Sequence, residues 1–542
     1  MASKPPNILV IITDQQRADT IGALGNPIIR TPALDGLVRA GTAFRRAYTP
    51  APICSPARIS MATGLPPHVH RFTDHDWWHW EGEDGPPTAA PHDAPFMKLA
   101  HDQGYQTFMT GKLHHSGRGW LTDGVEEYAG REPVVSKETK VLQSYDEFLK
   151  EKGYPDWLPP SSGVGSEYYM VPQVTSAPPE HCRPHWLADQ CIDFLRRRDR
   201  DRPFLMHCHF PGPHPPIVNP LPWALLYRAN EMEAPHRPEN YQDYQSRTNR
   251  YQNRYKGKDT AQEDDTGYRI LKAAYYGDIS FIDYNIGRIF EALGEERENT
   301  LIVFTADHGE LMGDYGCVGK RCMLDAAMRI PLVVAWPGRV PAGNECRAPV
   351  SFMDLFYTVV DAAGVQAERR SEEGRSLIET ANEPDADRVV FSQFSSGWCG
   401  QYGATDGRWK YAYSAPDDRE WLFEVDDDLA EGPNRVDDPQ AAQHLKRLKG
   451  ALVERHDPSV DPYSNAVEGG DWKEHDPPPE DYLQDPTYGY LWQERAPEKL
   501  QAAVDALGPG YARKVTRDQS QSLHAAHKVC GGVSPFEEPP AG

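Results

Sequence analysis

The chain has 542 residues, a formal net charge of −23 and an isoelectric point of about 5.3. This length allows one large domain and a smaller one, and the acidic balance argues against nucleic acid as a partner. No apolar run approaches the ~20 residues that span a bilayer, so we expect no membrane segment. The short N-terminal apolar run lacks signal-peptide features, and the nine cysteines are scattered. We therefore expect a cytoplasmic protein with reduced thiols.

Short apolar runs alternate with amphipathic segments from residue 7 onward. This alternation predicts an α/β fold with a large, mostly parallel central sheet flanked by helices. The predicted strands are 7–12, 203–210, 300–305 and 330–336, and the predicted helices are 185–198, 275–293 and 354–364. The polar insertion 215–268 is predicted to form a lid or to stay partly mobile.

The composition becomes charged and polar around 365–388, which predicts a domain boundary. We expect a catalytic domain, a small α+β subdomain with an antiparallel sheet, and an extended tail, at 1–385, 386–455 and 456–542. The subdomain strands are predicted at 389–394, 408–414 and 420–425, and its helix at 439–455. A tail rich in Pro, Asp and Tyr is expected to pack on the surface or on a neighbouring subunit, which predicts a homo-oligomer, a dimer or tetramer.

Polar side chains follow two of the predicted strands. "NILVIITDQ" ends in Asp14 and Gln15, and "TLIVFTADH" ends in Asp307 and His308. Ligands in open α/β sheets gather beyond the carboxyl ends of the strands. Two carboxylates, an amide oxygen and an imidazole suit one hard divalent cation, Ca²⁺, Mg²⁺ or Mn²⁺.

The stretch "CSPARISMATG" predicts a short helix with Cys54 at its N-terminal end. Ser55 is expected to cap this helix, with Pro56 in its first turn and Gly64 at its end. A helix N-terminus favours anions, and Arg58 is expected to point back toward it. A thiolate is a poor ligand for a hard cation, so the place of Cys54 needs an explanation.

The segment "CSPAR", followed by "TG", resembles the C-x-P-x-R signature of type I sulfatases, which belong to the alkaline phosphatase superfamily. "GYQTFMTGKLHH", "FPGPHPP" and "TADHGELMGDYGCVGK" follow in the order that the family has, close to its arylsulfatase and phosphonate monoester hydrolase branch. In that family a formylglycine-generating enzyme oxidises the cysteine to formylglycine. The resemblance therefore implies that Cys54 is the precursor of an oxygen ligand and nucleophile.

The resemblance also implies a role for each residue of the site. The implied metal ligands are Asp14, Gln15, Cys54, Asp307 and His308, and the implied catalytic residues are Cys54, Arg58, Lys112, His114, His214 and Lys320. Arg58 would hold the nucleophile, and the two lysines and His114 would surround the ester oxygens. His214, or alternatively His114, would protonate the leaving group. The implied reaction is hydrolysis of sulfate monoesters resembling aryl sulfates.

The sequence departs from the family pattern at Gln15, where Asp is frequent, at Ala62, where Leu is frequent, and at His75, where Asn is frequent. One alternative is a phosphonate monoester or phosphodiester hydrolase on the same scaffold. That branch has Tyr and Thr in place of Lys112 and His114, so the cationic pair here favours sulfate. Further alternatives are a cysteine phosphatase-like thiolate and a non-catalytic assembly protein.

Several other residues receive a structural interpretation. His207 and His209 alternate in a strand and are expected to be buried and hydrogen-bonded. Cys317 and Cys322 are expected to be ordinary thiols, and His115 to be structural or exposed. Trp77, Trp78 and Trp80 are expected to make packing or subunit contacts, with an aryl-group pocket as the alternative.

Overall fold

The computed structural model describes residues 5–74, 94–114, 119–130, 138–154, 170–255, 265–366, 368–385, 387–425, 429–462 and 464–475. The expectations for His75, the three tryptophans, His115 and the tail beyond 475 lie outside the described residues. Within these ranges no helix is long and apolar enough to span a bilayer.

The structure contains short and long strands in chain order. These are β1 (Asn7–Asp14), β2 (Thr42–Phe44), β3 (Ala47–Tyr48), β4 (Gln106–Gly111), β5 (Glu127–Ala129), β6 (Lys140–Val141), β7 (Gln173–Val174), β8 (Phe204–Pro213), β9 (Val218–Asn219), β10 (Thr300–Ala306), β11 (Leu332–Ala335), β12 (Asn344–Cys346), β13 (Val350–Ser351), β14 (Val390–Phe394), β15 (Gln401–Thr405), β16 (Trp409–Ser414), β17 (Arg419–Glu424), β18 (Val467–Glu468) and β19 (Asp471–Trp472).

Helices connect and cover these strands. They are α1 (Pro32–Ala40), α2 (Cys54–Thr63), α3 (Pro67–His70), α4 (Phe96–Asp102), α5 (Tyr145–Glu151), α6 (Arg183–Arg197), α7 (Arg247–Tyr255), α8 (Asp265–Leu293), α9 (Asp325–Met328), α10 (Asp354–Ala362), α11 (Leu377–Asn382) and α12 (Ala442–His456).

The central sheet has the strand order β12-β2-β11-β10-β1-β8-β4-β5-β6. The strands from β10 to β6 in this order are all parallel, whereas β11 runs antiparallel to both of its neighbours. The predicted α/β class with a largely parallel sheet is therefore confirmed.

Strand β1 lies in the middle of this sheet and is buried along its whole length. Ile8, Val10 and Ile12 pack in one hydrophobic cluster, and Leu9 and Ile11 pack in the cluster on the opposite face. A strand covered on both faces needs a continuous apolar run, which is what the sequence has here. The same burial fixes the position of the strand's carboxyl end.

A second sheet, of order β14-β15-β16-β17, is antiparallel throughout. Three of its strands match the predicted segments within one or two residues, but the sequence did not predict β15, whose "QYGAT" is short and contains a glycine. The described part of the predicted tail packs on this sheet. The ring of Trp472 stacks on Tyr413 at 4.5 Å, and its Nε1 donates to the hydroxyl of Tyr411 at 2.6 Å. The exact domain boundaries stay a prediction.

The described part of the polar insertion forms short turns, α7 and the start of α8. Helix α8 begins about three turns earlier than predicted. Tyr268, Leu271 and Tyr275 are all buried, and their spacing extends the apolar face of the helix toward its N-terminus.

Helix α2 begins at Cys54, and Ile53 occupies its N-cap position without a side-chain hydrogen bond. The prediction that Ser55 caps this helix is therefore wrong, because Ser55 Oγ donates to the backbone carbonyl of His114 instead. Gly64 ends the helix in the left-handed region at φ 71°, as predicted, and its N–H donates to the carbonyl of Ser60 at 2.8 Å.

Gly64 generates a stability prediction. An ideal Cβ at Gly64 would lie 2.5 Å from the ring of Phe356, whereas one at Gly364, with a similar φ of +68°, would meet nothing within 4 Å. We expect Gly64→Ala to lower the free energy of unfolding by about 2–5 kcal/mol and Gly364→Ala by about 1–2 kcal/mol, because only the first adds a clash to the backbone cost. Urea unfolding of both variants measures the difference; equal losses would contradict the packing argument.

Candidate active site

The ends of two neighbouring parallel strands form the floor of the site. Thr13 of β1 pairs in register with Ala306 of β10, so the next residues, Asp14 and Asp307, are adjacent. The backbone N–H of Gln15 donates to Asp307 Oδ1 at 3.0 Å, which ties the two strand ends together. Both carboxylates are completely buried.

The N-terminus of α2 brings Cys54 onto this floor. Cys54 Sγ lies 3.1 Å from His308 Nε2 and 3.6 Å from Asp14 Oδ1. One ligand atom from each of Asp14, Cys54, Asp307 and His308 lies within 4.8 Å of the other three.

Arg58, one turn into α2, bridges the two carboxylates. Its Nη2 lies 2.8 Å from Asp14 Oδ2 and 2.8 Å from Asp307 Oδ2, and its Nε donates to Asp307 at 2.9 Å. Burial opposes the charge of Arg58, but Asp307 and Asp14 outweigh it, so the pKa of Arg58 is raised. The guanidinium therefore stays charged and neutralises a pair of carboxylates that would otherwise repel each other.

Two lysines approach residue 54 from different loops. Lys112 Nζ pairs with Asp14 Oδ2 and lies 3.7 Å from Cys54 Sγ, and Lys320 Nζ lies 3.2 Å from the same sulfur. Burial raises the pKa of the Cys54 thiol, but Lys112, Lys320 and His308 lower it well below its usual value. The site therefore stabilises negative charge on the side chain of residue 54.

The two predicted catalytic histidines also reach this site. His114, in the left-handed region at φ 50°, makes a side-chain hydrogen bond that favours the Cys54 thiolate. His214 follows β8 directly, and its Nδ1 donates to the carbonyl of Pro215 at 2.6 Å, which leaves Nε2 as the second ring nitrogen. Burial, then Lys320, lowers the pKa of His214 well below its usual value, so the ring is neutral.

His207 and His209 lie behind the site on β8 and are both buried. Nδ1 of His209 lies 2.7 Å from Arg58 Nη1, so its predicted hydrogen bonding agrees with the structure. The prediction is wrong for His207, neither of whose ring nitrogens has a hydrogen-bond partner among the described residues. Burial, followed by Arg58, lowers the pKa of His207 to about 3, which allows a neutral ring in this apolar position.

The donor set fits a hard divalent cation. Asp14 and Asp307 supply carboxylate oxygens, and the Nδ1 of His308 donates to the carbonyl of Gly309 at 3.0 Å. This hydrogen bond leaves the lone pair of His308 Nε2 free to face the carboxylates. The sulfur of Cys54 is the one mismatched donor. Gln15 joins the cluster through Lys320, whose Nζ donates to Gln15 Oε1 at 2.6 Å.

Sequence reasoning missed the residues that hold the Lys320 loop in place. Gln252 Nε2, in α7, donates to the carbonyls of Val318 and Lys320 at 2.7 and 2.6 Å. Asn253 Nδ2 donates to the carbonyl of Gly316 at 2.9 Å. The polar run "NRYQNRY" read as a soluble insertion, and nothing in its sequence pattern signals that two of its amides are buried. In contrast, Glu310 belongs to the "DHGE" part of a motif that was already identified.

The structure thus places every described residue of the predicted metal and catalytic sets in or beside one cluster. Asp14, Gln15, Cys54, Arg58, Lys112, Asp307, His308 and Lys320 are linked by the contacts above, and His114 and His214 interact with them electrostatically or by hydrogen bonding. Their individual roles stay predictions.

Comparison with known proteins agrees with this arrangement. The family model described as "Sulfatase" matches residues 6–365, and the model described as "N-sulphoglucosamine sulphohydrolase, C-terminal" matches residues 313–457. An arylsulfatase of Clostridium perfringens is 28% identical over 479 residues, which cover 83% of this chain and 94% of that protein. A choline-sulfatase of Rhizobium meliloti is 28% identical over 461 residues, which cover 81% and 84% of the two chains.

Among solved structures, the phosphonate monoester hydrolase of Agrobacterium radiobacter is similar with a TM-score of 0.66 and 23% sequence identity. The match covers 87% of this chain and 100% of that chain. This likeness establishes a shared fold. With the family model matched over more than half of its length, the chain belongs to the sulfatase family of the alkaline phosphatase superfamily.

Proposed function

We propose that this chain hydrolyses sulfate monoesters of the aryl sulfate type, with residue 54 as the nucleophile after conversion to formylglycine. One observation carries the proposal: Lys112 and Lys320 converge on the side chain of residue 54 at the point where it meets Asp14 and His308. This places an anion-stabilising pair of cations around the attacking atom and the group under attack. The names of the arylsulfatase and choline-sulfatase relatives support sulfate esters as the substrate class.

Asp14, Asp307 and His308, with Gln15 beside them, would hold one divalent cation, Ca²⁺, Mn²⁺ or Mg²⁺. The cation would supply Lewis acidity, and formylglycine would supply an oxygen nucleophile in place of the mismatched sulfur. Arg58 would keep the two carboxylates close together, and His114 would hydrogen-bond residue 54.

Lys112 and Lys320 would bind the non-bridging oxygens of the sulfate and stabilise the charge that redistributes on them. His214 would protonate the leaving oxygen. Its pKa is lowered first by burial and then by Lys320, so the ring is neutral in the free protein. The negative charge of a bound ester beside the ring favours the protonated form that a general acid needs.

Two other reactions have an observation in their favour. The fold shared with a phosphonate monoester hydrolase fits phosphonate esters, but the Lys112 and His114 pair places sulfate first. The lowered pKa of Cys54 fits a thiolate nucleophile. A non-catalytic assembly role is disfavoured because nucleophile, carboxylates and cations are all retained. A formylglycine-generating enzyme as partner, a homo-oligomer and a cytoplasmic location complete the proposal.

The state of residue 54 tests the nucleophile. We expect the Cys54 peptide of active protein to have the mass of formylglycine, and the turnover rate to follow the modified fraction. Cys54→Ala should abolish turnover, whereas Cys346→Ala, at a buried thiol outside the site, should keep it. Peptide mass spectrometry with a turnover assay measures both, and full activity with an unmodified thiol would contradict the proposal in favour of a thiolate mechanism.

Lys320 tests the stabilisation of the sulfate oxygens. We expect Lys320→Ala to lower kcat/KM on the order of 10²-fold or more, because a buried cation beside the reacting group is lost. Lys98→Ala, at an exposed lysine paired with Asp102, should leave kcat/KM unchanged. A near-normal rate for the Lys320 variant would remove this residue from the site.

Paired substrates test the ester class. We expect kcat/KM to be higher for an aryl sulfate than for the matching aryl phosphonate monoester. The double variant Lys112→Tyr, His114→Thr should shift the ratio toward phosphonate, because it removes the cationic pair. A large phosphonate preference of the unaltered protein would reverse our assignment.

A further inference from the structure

Glu310, outside both predicted residue sets, closes a ring of hydrogen bonds at the site. One carboxylate oxygen, Oε2, accepts from Gln15 Nε2. The other oxygen of that amide, Gln15 Oε1, accepts from Lys320 Nζ at 2.6 Å. The second carboxylate oxygen, Oε1, accepts from the backbone N–H of Gly319, the residue before Lys320. Glu310 therefore contacts both the side chain that receives the Lys320 ammonium and the backbone that carries it.

All members of this ring are buried. Glu310 and Gln15 have no exposed surface, and Lys320 is 3% exposed. Glu310 Oε1 also accepts from the N–H of Met312 at 3.0 Å, in a loop where Met312, Tyr315 and Arg321 all adopt left-handed φ values. Non-glycine residues adopt this conformation only where their surroundings hold them in it. The loop that presents Lys320 is thus held in an unfavourable backbone conformation by a buried carboxylate.

The direction of the Gln15 amide follows from this contact. A glutamine amide has one end that donates and one that accepts, with nearly the same shape. A carboxylate only accepts, so Glu310 selects the orientation in which Nε2 faces it and Oε1 faces Lys320. A flipped amide would present its NH₂ group to an ammonium ion, and the hydrogen bond to Lys320 would be lost.

We propose that Glu310 is a positioning residue, which orients the Gln15 amide and the Gly319–Lys320 backbone so that the ammonium stays beside residue 54. Glu310 itself does not touch residue 54 in this arrangement and acts only through its two partners. The inference rests on the proposed function for the role of Lys320, but the hydrogen-bond ring that it describes is independent of which ester is cleaved.

The isosteric variant Glu310→Gln tests the proposal. It keeps the size of the side chain but places either a donor against Gln15 or a donor against the backbone N–H groups. We expect kcat to fall about 10–100-fold, the usual range for a group that orients a catalytic side chain. Lys320 should also react several-fold faster with a lysine-acylating reagent in the metal-free protein, measured by peptide mass spectrometry against Lys410 as internal reference.

Asp354→Asn is the matched control. Asp354 is a fully buried carboxylate that accepts from the backbone N–H groups of Ser351 and Arg375 and pairs with Arg388 outside the site. This variant should lower the melting temperature while leaving kcat and Lys320 acylation unchanged. An equal loss of kcat in both variants would show that neutralising any buried acid is sufficient, and would overturn the proposal.

The reciprocal double variant Gln15→Glu, Glu310→Gln separates orientation from damage. It restores a donor–acceptor pair between the two residues with an oxygen still facing Lys320. We expect slow acylation of Lys320 to return, in contrast to Gln15→Glu alone, which sets two carboxylates against each other. If Glu310→Gln folds poorly, this second comparison carries the test. The proposal is wrong if the double variant acylates as fast as the single one, or if Glu310→Gln stays within about twofold of the unaltered protein in both measurements.

The assay uses whichever aryl ester the unaltered protein hydrolyses fastest. Failure of sulfate as substrate therefore counts against the proposed function alone, because the acylation of Lys320 is measured without any ester. Unchanged acylation with normal sulfatase activity counts against the role of Glu310 alone.

Discussion

The buried bridge from Arg58 to Asp14 and Asp307 is the interaction on which the site depends. Two carboxylates lie at the ends of adjacent strands with no solvent to separate their charges, and one guanidinium contacts both at 2.8 Å. Removing one partner of such a buried pair costs about 3–5 kcal/mol, because it leaves charge uncompensated. Arg58 belongs to the helix that begins at Cys54, so the bridge also sets the distance between residue 54 and the strand ends.

The scaffold supplies positive charge at residue 54 from separate parts of the chain. Lys112 follows β4, Lys320 lies in a loop after β10, and both approach the same side chain. Because the sheet is covered on both faces, these strand ends have little freedom to relax. The loop that carries Lys320 is braced by Gln252 and Asn253 of α7, so the polar insertion helps to build the site. Such fixed dipoles and charges cost no reorganisation when negative charge develops.

How far the sequence predicts this structure depends on the kind of signal. The apolar run of β1 and its parallel partners identified the central sheet, and the strand-end positions of Asp14 and Asp307 identified the floor of the site. Capping by Ser55 was wrong because the backbone carbonyl of His114 competes for its hydroxyl, and β15 was missed because its burial comes from neighbouring strands. Gln252 and Glu310 act through hydrogen bonds to distant backbone groups, which leave no periodic pattern in the chain.

The central claim is that residue 54 presents an oxygen to one divalent cation held between two strand ends. Anomalous diffraction from crystals of the Mn²⁺-loaded, enzymatically modified protein measures this directly. Our account predicts a single manganese peak bonded to Asp14, Asp307 and His308, with an oxygen atom of residue 54 in its coordination sphere. A peak elsewhere, or residue 54 present as an unmodified thiol turned away from the cation in catalytically active crystals, would contradict it.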